Sequence, residues 1–135
     1  MIVDSSALVS LLLREPTAPA ITMSIERALA EGEQIMISAA TLVEASVVAD
    51  GLRDPVRSAR FDAIIESLRA DVIPVTAAQA ALARQAYRDY GRGSGHPARL
   101  NLGDCFSYAL AKERGEPLLY VGDDFVHTDL ASALD

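Results

Sequence analysis

The sequence has little cysteine and no long apolar run, and each scarcity argues against a class of protein. Its one cysteine, Cys105, cannot form an internal disulfide, which is typical of a protein kept in a reducing cytosol. The longest apolar run, Ala7–Leu13, is interrupted by Ser10 and is too short to cross a bilayer. The first residues contain neither a basic segment nor a small-residue cleavage site, so no signal peptide is predicted. We therefore expect a cytoplasmic protein that has no membrane partner.

Positive charge is also scarce. Twelve Lys and Arg residues stand against 19 Asp and Glu residues, for a net charge of −7 at pH 7. This balance argues against broad electrostatic capture of nucleic acid, although it leaves room for a local basic face. It fits a protein that gathers carboxylates around a divalent cation. Zinc is not favoured, because no cysteine pair exists and neither His96 nor His127 has zinc-ligand spacing.

Short apolar segments alternate with helical patterns along the chain. Strands are predicted at residues 1–3, 35–38, 72–75, 118–121 and, as a last short strand, 130–134. Helices are predicted at residues 7–14, 17–30, 41–51, 56–70, 77–90 and 102–114. Apolar strands separated by helices predict a parallel sheet covered on both faces, and Pro74 places the third strand at an edge or at its own end. The 135 residues contain no repeat and no separating linker, so one domain over residues 1–135 is expected.

Acidic residues follow the ends of three of these strands. Asp4 ends the first strand, Glu44 lies just past the second, and Asp123 and Asp124 lie just past the fourth. Asp104 lies in the first turn of the last helix, beside an apolar stripe. In parallel sheets, ligands bind beyond the carboxyl ends of the strands. The sequence therefore predicts a site at this edge, which the Asp104 helix reaches if it runs along the crevice.

Each acid also has a local structural explanation. Asp4 would serve as a helix N-cap, and Asp104 would be a first-turn anion after the N-cap Asn101. Thr41-x-x-Glu44 fits a capping box, and Asp123-Asp124 fits a turn.

Four acids at one edge nevertheless carry a large electrostatic cost. Two unit charges about 4 Å apart repel by roughly 4 kcal/mol at an effective dielectric near 20. A divalent cation offsets this repulsion, and oxygen ligands alone favour Mg²⁺ or Mn²⁺. Such a cation lowers the pKa of bound water and stabilises charge on a phosphoryl oxygen. The predicted chemistry is therefore hydrolysis of phosphodiester bonds.

Three motifs indicate a protein family more specifically than the composition does. They are Val3-Asp4-Ser5-Ser6-Ala7-Leu8, Asn101-x-Gly103-Asp104-Cys105-Phe106-Ser107-Tyr108-Ala109-x-Ala111, and Pro117-Leu118-Leu119-Tyr120-x-Gly122-Asp123-Asp124-Phe125-x-x-Thr128-Asp129. Together they make the chain resemble PIN-domain ribonucleases, specifically the VapC toxins of bacterial toxin–antitoxin pairs, over essentially its whole length. The resemblance implies an α/β/α sandwich and a Mg²⁺- or Mn²⁺-dependent endoribonuclease acting on transfer RNA or ribosomal RNA. It also implies a homodimer that is inhibited by a cognate VapB-type antitoxin.

The resemblance carries over to particular residues. Asp4, Glu44 and Asp104 match the core acids of the family, which hold the metal directly or through water. The fourth acid is Asp123 when counted from the strand end and Asp124 when counted back from the following phenylalanine, and we favour Asp123. Ser6 matches a position that often has a hydroxyl near the metal.

Arginines offer a candidate binding surface. Arg84 and Arg88 lie one turn apart on the alanine-rich helix, and Arg99 lies in the glycine-rich loop that follows. We expect them to contact RNA phosphates or antitoxin carboxylates. The alternative is a solvated face in which Arg88 pairs with Asp89.

Other functions fit the sequence less well. A haloacid-dehalogenase phosphatase needs Asp-x-Asp after the first strand, and Asp4-Ser5-Ser6 lacks the second acid. A phosphotransfer receiver needs a lysine after a late strand, and the one lysine, Lys112, lies inside a predicted helix. A non-catalytic module that binds a cation or a partner is the other alternative.

Overall fold

A parallel sheet forms the middle layer of the molecule. The computed structural model describes residues 1–134, and its four strands are β1 Ile2–Val3, β2 Met36–Ser38, β3 Asp71–Ile73 and β4 Leu118–Leu119. They lie in the order β3-β2-β1-β4, and all three neighbouring pairs are parallel. The carboxyl ends of all four strands therefore lie along one edge, as the sequence predicts.

Helices cover both faces of this sheet. They are α1 Ser5–Leu13, α2 Ala18–Ala30, α3 Ala39–Gly51, α4 Pro55–Leu68, α5 Ala77–Tyr90 and α6 Leu102–Arg114. Alternate strand residues point to opposite faces, so the buried core has two parts. Val3 and Ile37 pack with residues of α1 to α4, whereas Ile2 and Met36 pack with residues of α5 and α6. The predicted three-layer α/β/α sandwich is confirmed.

Local sequence signals account for several element ends. Pro74 follows β3 directly, and β3 is the edge strand, as expected for a residue without an N–H. Asp54 accepts a hydrogen bond from the Val56 N–H and caps α4. Gly115 ends α6 with φ +65°, a conformation that glycine adopts without strain.

Two predictions of local structure are wrong. The predicted strand at residues 130–134 is a single parallel bridge between Ser132 and Leu118. The chain touches β4 there through one pair of backbone hydrogen bonds and then diverges. Helix α3 begins at Ala39 instead of Thr41, so Thr41 lies inside the first turn and cannot cap it. The Thr41-x-x-Glu44 capping box is therefore absent, and both side chains are free for other contacts.

In residues 1–134, every helix is too short or too polar to cross a membrane.

Candidate active site

Asp104 is held by the cap of its own helix. The Asn101 N–H donates to Oδ2 of Asp104 at 2.9 Å, and the Asp104 N–H donates to Oδ1 of Asn101 at 2.9 Å. This reciprocal pair is a capping box, so Asp104 stabilises the start of its own helix, as its position in the first turn after Asn101 suggests. The side chain is also buried, with 7% of its surface exposed. Because the cap holds one oxygen of the carboxylate, the orientation of the whole group is fixed.

Asp4 occupies the end of β1, and only 1% of its surface is exposed. Its Oδ2 accepts hydrogen bonds from the Ser6 N–H at 3.0 Å and from the Ser6 hydroxyl at 2.6 Å, which makes it the N-cap of α1. Its Oδ1 accepts a 2.6 Å hydrogen bond from the Ser107 hydroxyl on α6. The Ser107 hydroxyl in turn lies 3.0 Å from that of Thr41 on α3. α1 and α6 therefore meet at this carboxylate, and α3 is linked to it through Ser107.

The Ser6 hydroxyl links two strand ends. Besides donating to Asp4, it accepts a 3.0 Å hydrogen bond from the Val121 N–H, just after β4. The segment that carries the fourth acid is thus tied to β1 through one side chain.

Glu44 reaches the same region from α3. The Ser5 hydroxyl donates a hydrogen bond to its Oε1. Its carboxylate lies against the backbone of Gly103, where an added Cβ would come within 1.5 Å of Oε2. Gly103 therefore leaves the space that lets Glu44 approach the first turn of α6.

The electrostatics of Asp104 show which acids are near it. The pKa of Asp104 is raised to about 7, chiefly by burial. The hydrogen bond from the Asn101 backbone opposes this rise, and the negative charges of Asp4, Asp124 and Glu44 add to it. Asp123 is not among the charges that act on Asp104. Of the two consecutive acids after β4, Asp124 is therefore the one whose charge is felt at the site, whereas the sequence count from the strand end favours Asp123.

The residues present fit a hard divalent cation in donor chemistry and charge. All of the candidate ligands are carboxylates, and their mutual repulsion is what a cation would relieve. The Ser38 hydroxyl at the end of β2 is buried and has no hydrogen-bond partner among residues 1–134, so an unused polar atom lies at this same edge. Within residues 1–134, however, no three Asp, Glu, His or Cys side chains stand close enough together to enclose a metal ion as they are placed.

The arginines of the candidate binding surface lie outside the group of acids and are open to solvent. Arg84, Arg88 and Arg99 are exposed, and none has a carboxylate within ion-pair distance among residues 1–134. The alternative pairing of Arg88 with Asp89 does not form, and Oδ1 of Asp89 accepts a 3.0 Å hydrogen bond from the Gln85 side chain.

Cys105 and His96 have side chains of reactive types, but their contacts are those of structural residues. Cys105 is buried, and burial raises the pKa of its thiol to about 11, as expected of a small core residue. The His96 ring packs edge-on against Tyr90, with centroids 4.9 Å apart, and accepts a hydrogen bond from the Ala98 N–H. His96 therefore shapes its own loop.

Sequence reasoning missed several contributors to the site. Thr41, Gly103 and Ser107 carry no chemistry of their own, and their contacts arise only when α3 and α6 pack on the sheet. The small residues of the Asn101–Ala111 motif were the available signal. Small or hydroxyl side chains on the face of Asp104 indicate a close approach by another element.

Comparison with known proteins places the whole chain in one group. The PIN domain family model matches residues 1–130. "VapC ribonuclease Mb0625" of Mycobacterium bovis is 52% identical over 135 residues, which are 100% of this chain and 98% of that protein. "Ribonuclease VapC42" of Mycobacterium tuberculosis is 47% identical over 133 residues, which are 98% of each chain.

Two solved structures share the fold at low identity. Mycobacterium tuberculosis VapC20, described as a sarcin-ricin loop cleaving toxin, has a TM-score of 0.69 and 20% identity over 96% of this chain and 95% of its own. FitAcB from Neisseria gonorrhoeae has a TM-score of 0.70 and 20% identity over 98% of this chain and 96% of its own.

Proposed function

The chain belongs to the PIN domain family, and from this membership we infer that it is an endoribonuclease toxin of the VapC type. The relatives that are about half identical over the full length are named as VapC ribonucleases. The observation that carries the chemistry is the convergence of Asp4, Glu44 and Asp124 on the buried Asp104. Asp4 and Asp104 each cap a helix, but these caps do not explain why the acids lie near one another, whereas a bound cation would offset their repulsion.

We propose that Asp4, Glu44, Asp104 and Asp124 hold a Mg²⁺ or Mn²⁺ ion, directly or through water. When bound, such an ion lowers the pKa of a water molecule and stabilises charge on a phosphoryl oxygen. Asp123 is the alternative to Asp124 as the fourth acid, because the two residues are adjacent and both are exposed.

The hydroxyl groups around the acids act as positioning groups. Ser6 and Ser107 each engage one oxygen of Asp4, so its carboxylate cannot rotate. Ser5 orients Glu44 in the same way. Oδ2 of Asp4 accepts two hydrogen bonds, whereas Oδ1 accepts one and so keeps a lone pair for a cation. Partners of this kind keep ligands in place and maintain metal affinity.

RNA cleavage by the purified chain, free of any antitoxin, tests this function. Total RNA is incubated with Mg²⁺, Mn²⁺ or EDTA, and the 5′ ends of the fragments are sequenced to identify the RNA that is cut. We expect metal-dependent cleavage that Asp104→Asn abolishes. Cleavage in EDTA would contradict the metal-dependent mechanism, and the absence of cleavage under any condition would instead support a non-catalytic module.

The partners follow from the same family membership. We propose that the substrate is transfer RNA or ribosomal RNA, that the chain forms a homodimer, and that a VapB-type antitoxin inhibits it in the cytoplasm. Val43 and Val47 flank Glu44 on α3 and are 63% and 65% exposed, which provides an apolar surface for an inhibitor next to the acids. Arg84, Arg88 and Arg99 are available for RNA phosphates or antitoxin carboxylates.

A further inference from the structure

An apolar cavity of about 600 Å³ lies between α5 and α6. Ala83, Cys105 and Phe106 contribute to its wall, and Tyr87, Arg84 and Arg92 also line it. Its volume falls in the range of pockets that bind small organic groups. We refer to it as the α5/α6 pocket.

One aromatic ring of this pocket is held in place. Tyr87 is 49% exposed, yet its ring lies against Gly91, where an added Cβ would come within 2.6 Å of Cδ2. Its hydroxyl donates a 3.2 Å hydrogen bond to the carbonyl of Arg92. The ring is therefore fixed before any ligand arrives, which lowers the entropic cost of stacking against it.

Positive charge surrounds this ring. Between residues 77 and 101 the chain has four arginines and one aspartate, a local charge of +3 in a chain whose net charge is −7. Arg84 and Arg92 are exposed and form no ion pair within residues 1–134. These arginines therefore form a local basic face on a protein that is acidic overall. Such a face is complementary in charge to a polyanion.

The α5/α6 pocket and the acids lie on two sides of the same helical turn. Leu102 and Cys105 line the pocket, whereas Gly103 touches Glu44 and Ser107 touches Asp4. A helix with its side chains is about 10 Å across. Neighbouring nucleotides of one RNA strand can span that distance.

We propose that the α5/α6 pocket receives an unpaired nucleobase of the RNA, stacked on Tyr87, with adjacent phosphates on Arg84 and Arg92. This inference rests on the proposed ribonuclease function. Unpaired bases present an apolar face that stacks on aromatic rings, while their phosphates require cations, and the pocket offers both. The enzyme would accordingly select RNA in which a base near the cleaved bond is unpaired.

Binding measurements test this without relying on cleavage. In the full chain carrying Asp104→Asn, the anisotropy of a fluorescein-labelled single-stranded oligoribonucleotide reports affinity. Tyr87→Ala should weaken binding by about 5- to 100-fold, the range of base–aromatic stacking, whereas Tyr87→Phe should preserve it. Met23→Ala is the matched surface control, because Met23 is 70% exposed on α2, across the sheet. Thermal melting checks that each variant is folded.

A series of oligonucleotides, each with one abasic position, identifies the stacked base. One position should weaken binding to the parent protein and have no effect in Tyr87→Ala. Arg84→Ala combined with Arg92→Ala should reduce the salt dependence of binding, whereas Arg27→Ala on α2 should not.

Three results overturn the inference. One is equal RNA affinity of Tyr87→Ala and the parent, and another is the absence of an abasic position whose effect depends on Tyr87. A third is unchanged RNA affinity together with lost antitoxin binding or a change from dimer to monomer in light scattering, which would assign the pocket to a protein partner. Failure of the proposed function is distinct, since it appears as absent cleavage by the unmodified chain.

Discussion

The Ser107 hydroxyl donates a 2.6 Å hydrogen bond to Oδ1 of Asp4 and so joins α6 to the end of β1. Both side chains are buried, and the two residues are 103 positions apart in the sequence. The contact brings the helix that carries Asp104 to Asp4, which directly follows β1. The geometry of the acid site therefore depends on a residue that has no charge.

Ser107→Ala tests this dependence. Removing the hydroxyl takes away the hydrogen bonds that Ser107 makes with Oδ1 of Asp4 and with the Thr41 hydroxyl, so the free energy of unfolding should fall by about 1–3 kcal/mol in urea titrations. RNA cleavage should fall by about 10- to 100-fold, as for other groups that orient metal ligands. Ser67→Ala, at a helical serine on the protein surface, should change stability by less than about 0.5 kcal/mol and leave cleavage unchanged. Equal effects of the two substitutions would refute the role of Ser107.

Gly103→Ala should displace Glu44 without unfolding the chain. The added Cβ would meet Oε2 of Glu44 at 1.5 Å, and the end of a flexible side chain moves more readily than backbone. Cleavage should fall by about 100-fold, since a displacement of about 1 Å can have that effect. The melting temperature should stay close to that of the parent. Gly51→Ala is the matched control, because a Cβ there meets nothing within 4 Å; a similar loss in both variants would contradict the account.

Asp124→Asn and Asp123→Asn separate the two candidates for the fourth acid. Of these two acids, only Asp124 has a charge that contributes to the raised pKa of Asp104. Asp124→Asn should therefore lower cleavage by about 10-fold or more, whereas Asp123→Asn should have a smaller effect. The reverse order would restore the assignment based on counting from the strand end.

Stability of the metal-free protein should fall as pH rises. The pKa of Asp104 is about 7 in the folded chain, compared with the ordinary value of 3.8, so the folded state binds the extra proton between these values. Its contribution to stability is fully present below pH 3.8 and is lost as pH rises through about 7. Melting temperatures measured in EDTA between pH 4 and pH 8 check this.

Two controls isolate the contribution of Asp104. Asp104→Asn should flatten the pH dependence between about pH 4 and 7, and Mg²⁺ should reduce it in the parent because a cation favours the ionised carboxylate. If both proteins give the same slope in EDTA, protonation of Asp104 has no part in the pH dependence.

Much of the fold could be predicted because it depends on the local pattern of apolar and polar residues along the chain. Short apolar strands between helices indicate a parallel sheet, and the rule on strand ends then places Asp4 and Glu44 at one edge. The start of α3 was misplaced because Thr41 and Glu44 have capping-box spacing, whereas tertiary packing uses Thr41 to contact Ser107. Asp4 and Asp104 show that the same side chain can form a helix cap and belong to the proposed site.

The features that could not be predicted arise from long-range packing. Nothing local indicates that Gly103 lies against Glu44, or that α5 and α6 leave a cavity beside Tyr87. Adjacent acids in a turn point in different directions, and spacing alone cannot tell which one faces Asp104.

Calorimetric titration of Mn²⁺ into the metal-free protein tests most directly whether acids far apart in the sequence share one cation. The account predicts a single site in the unmodified chain, with binding lost or weakened by at least about 10-fold in Asp4→Asn and in Asp104→Asn while both variants remain folded. Absence of binding to the unmodified chain, or equal affinity in all three proteins, would contradict it.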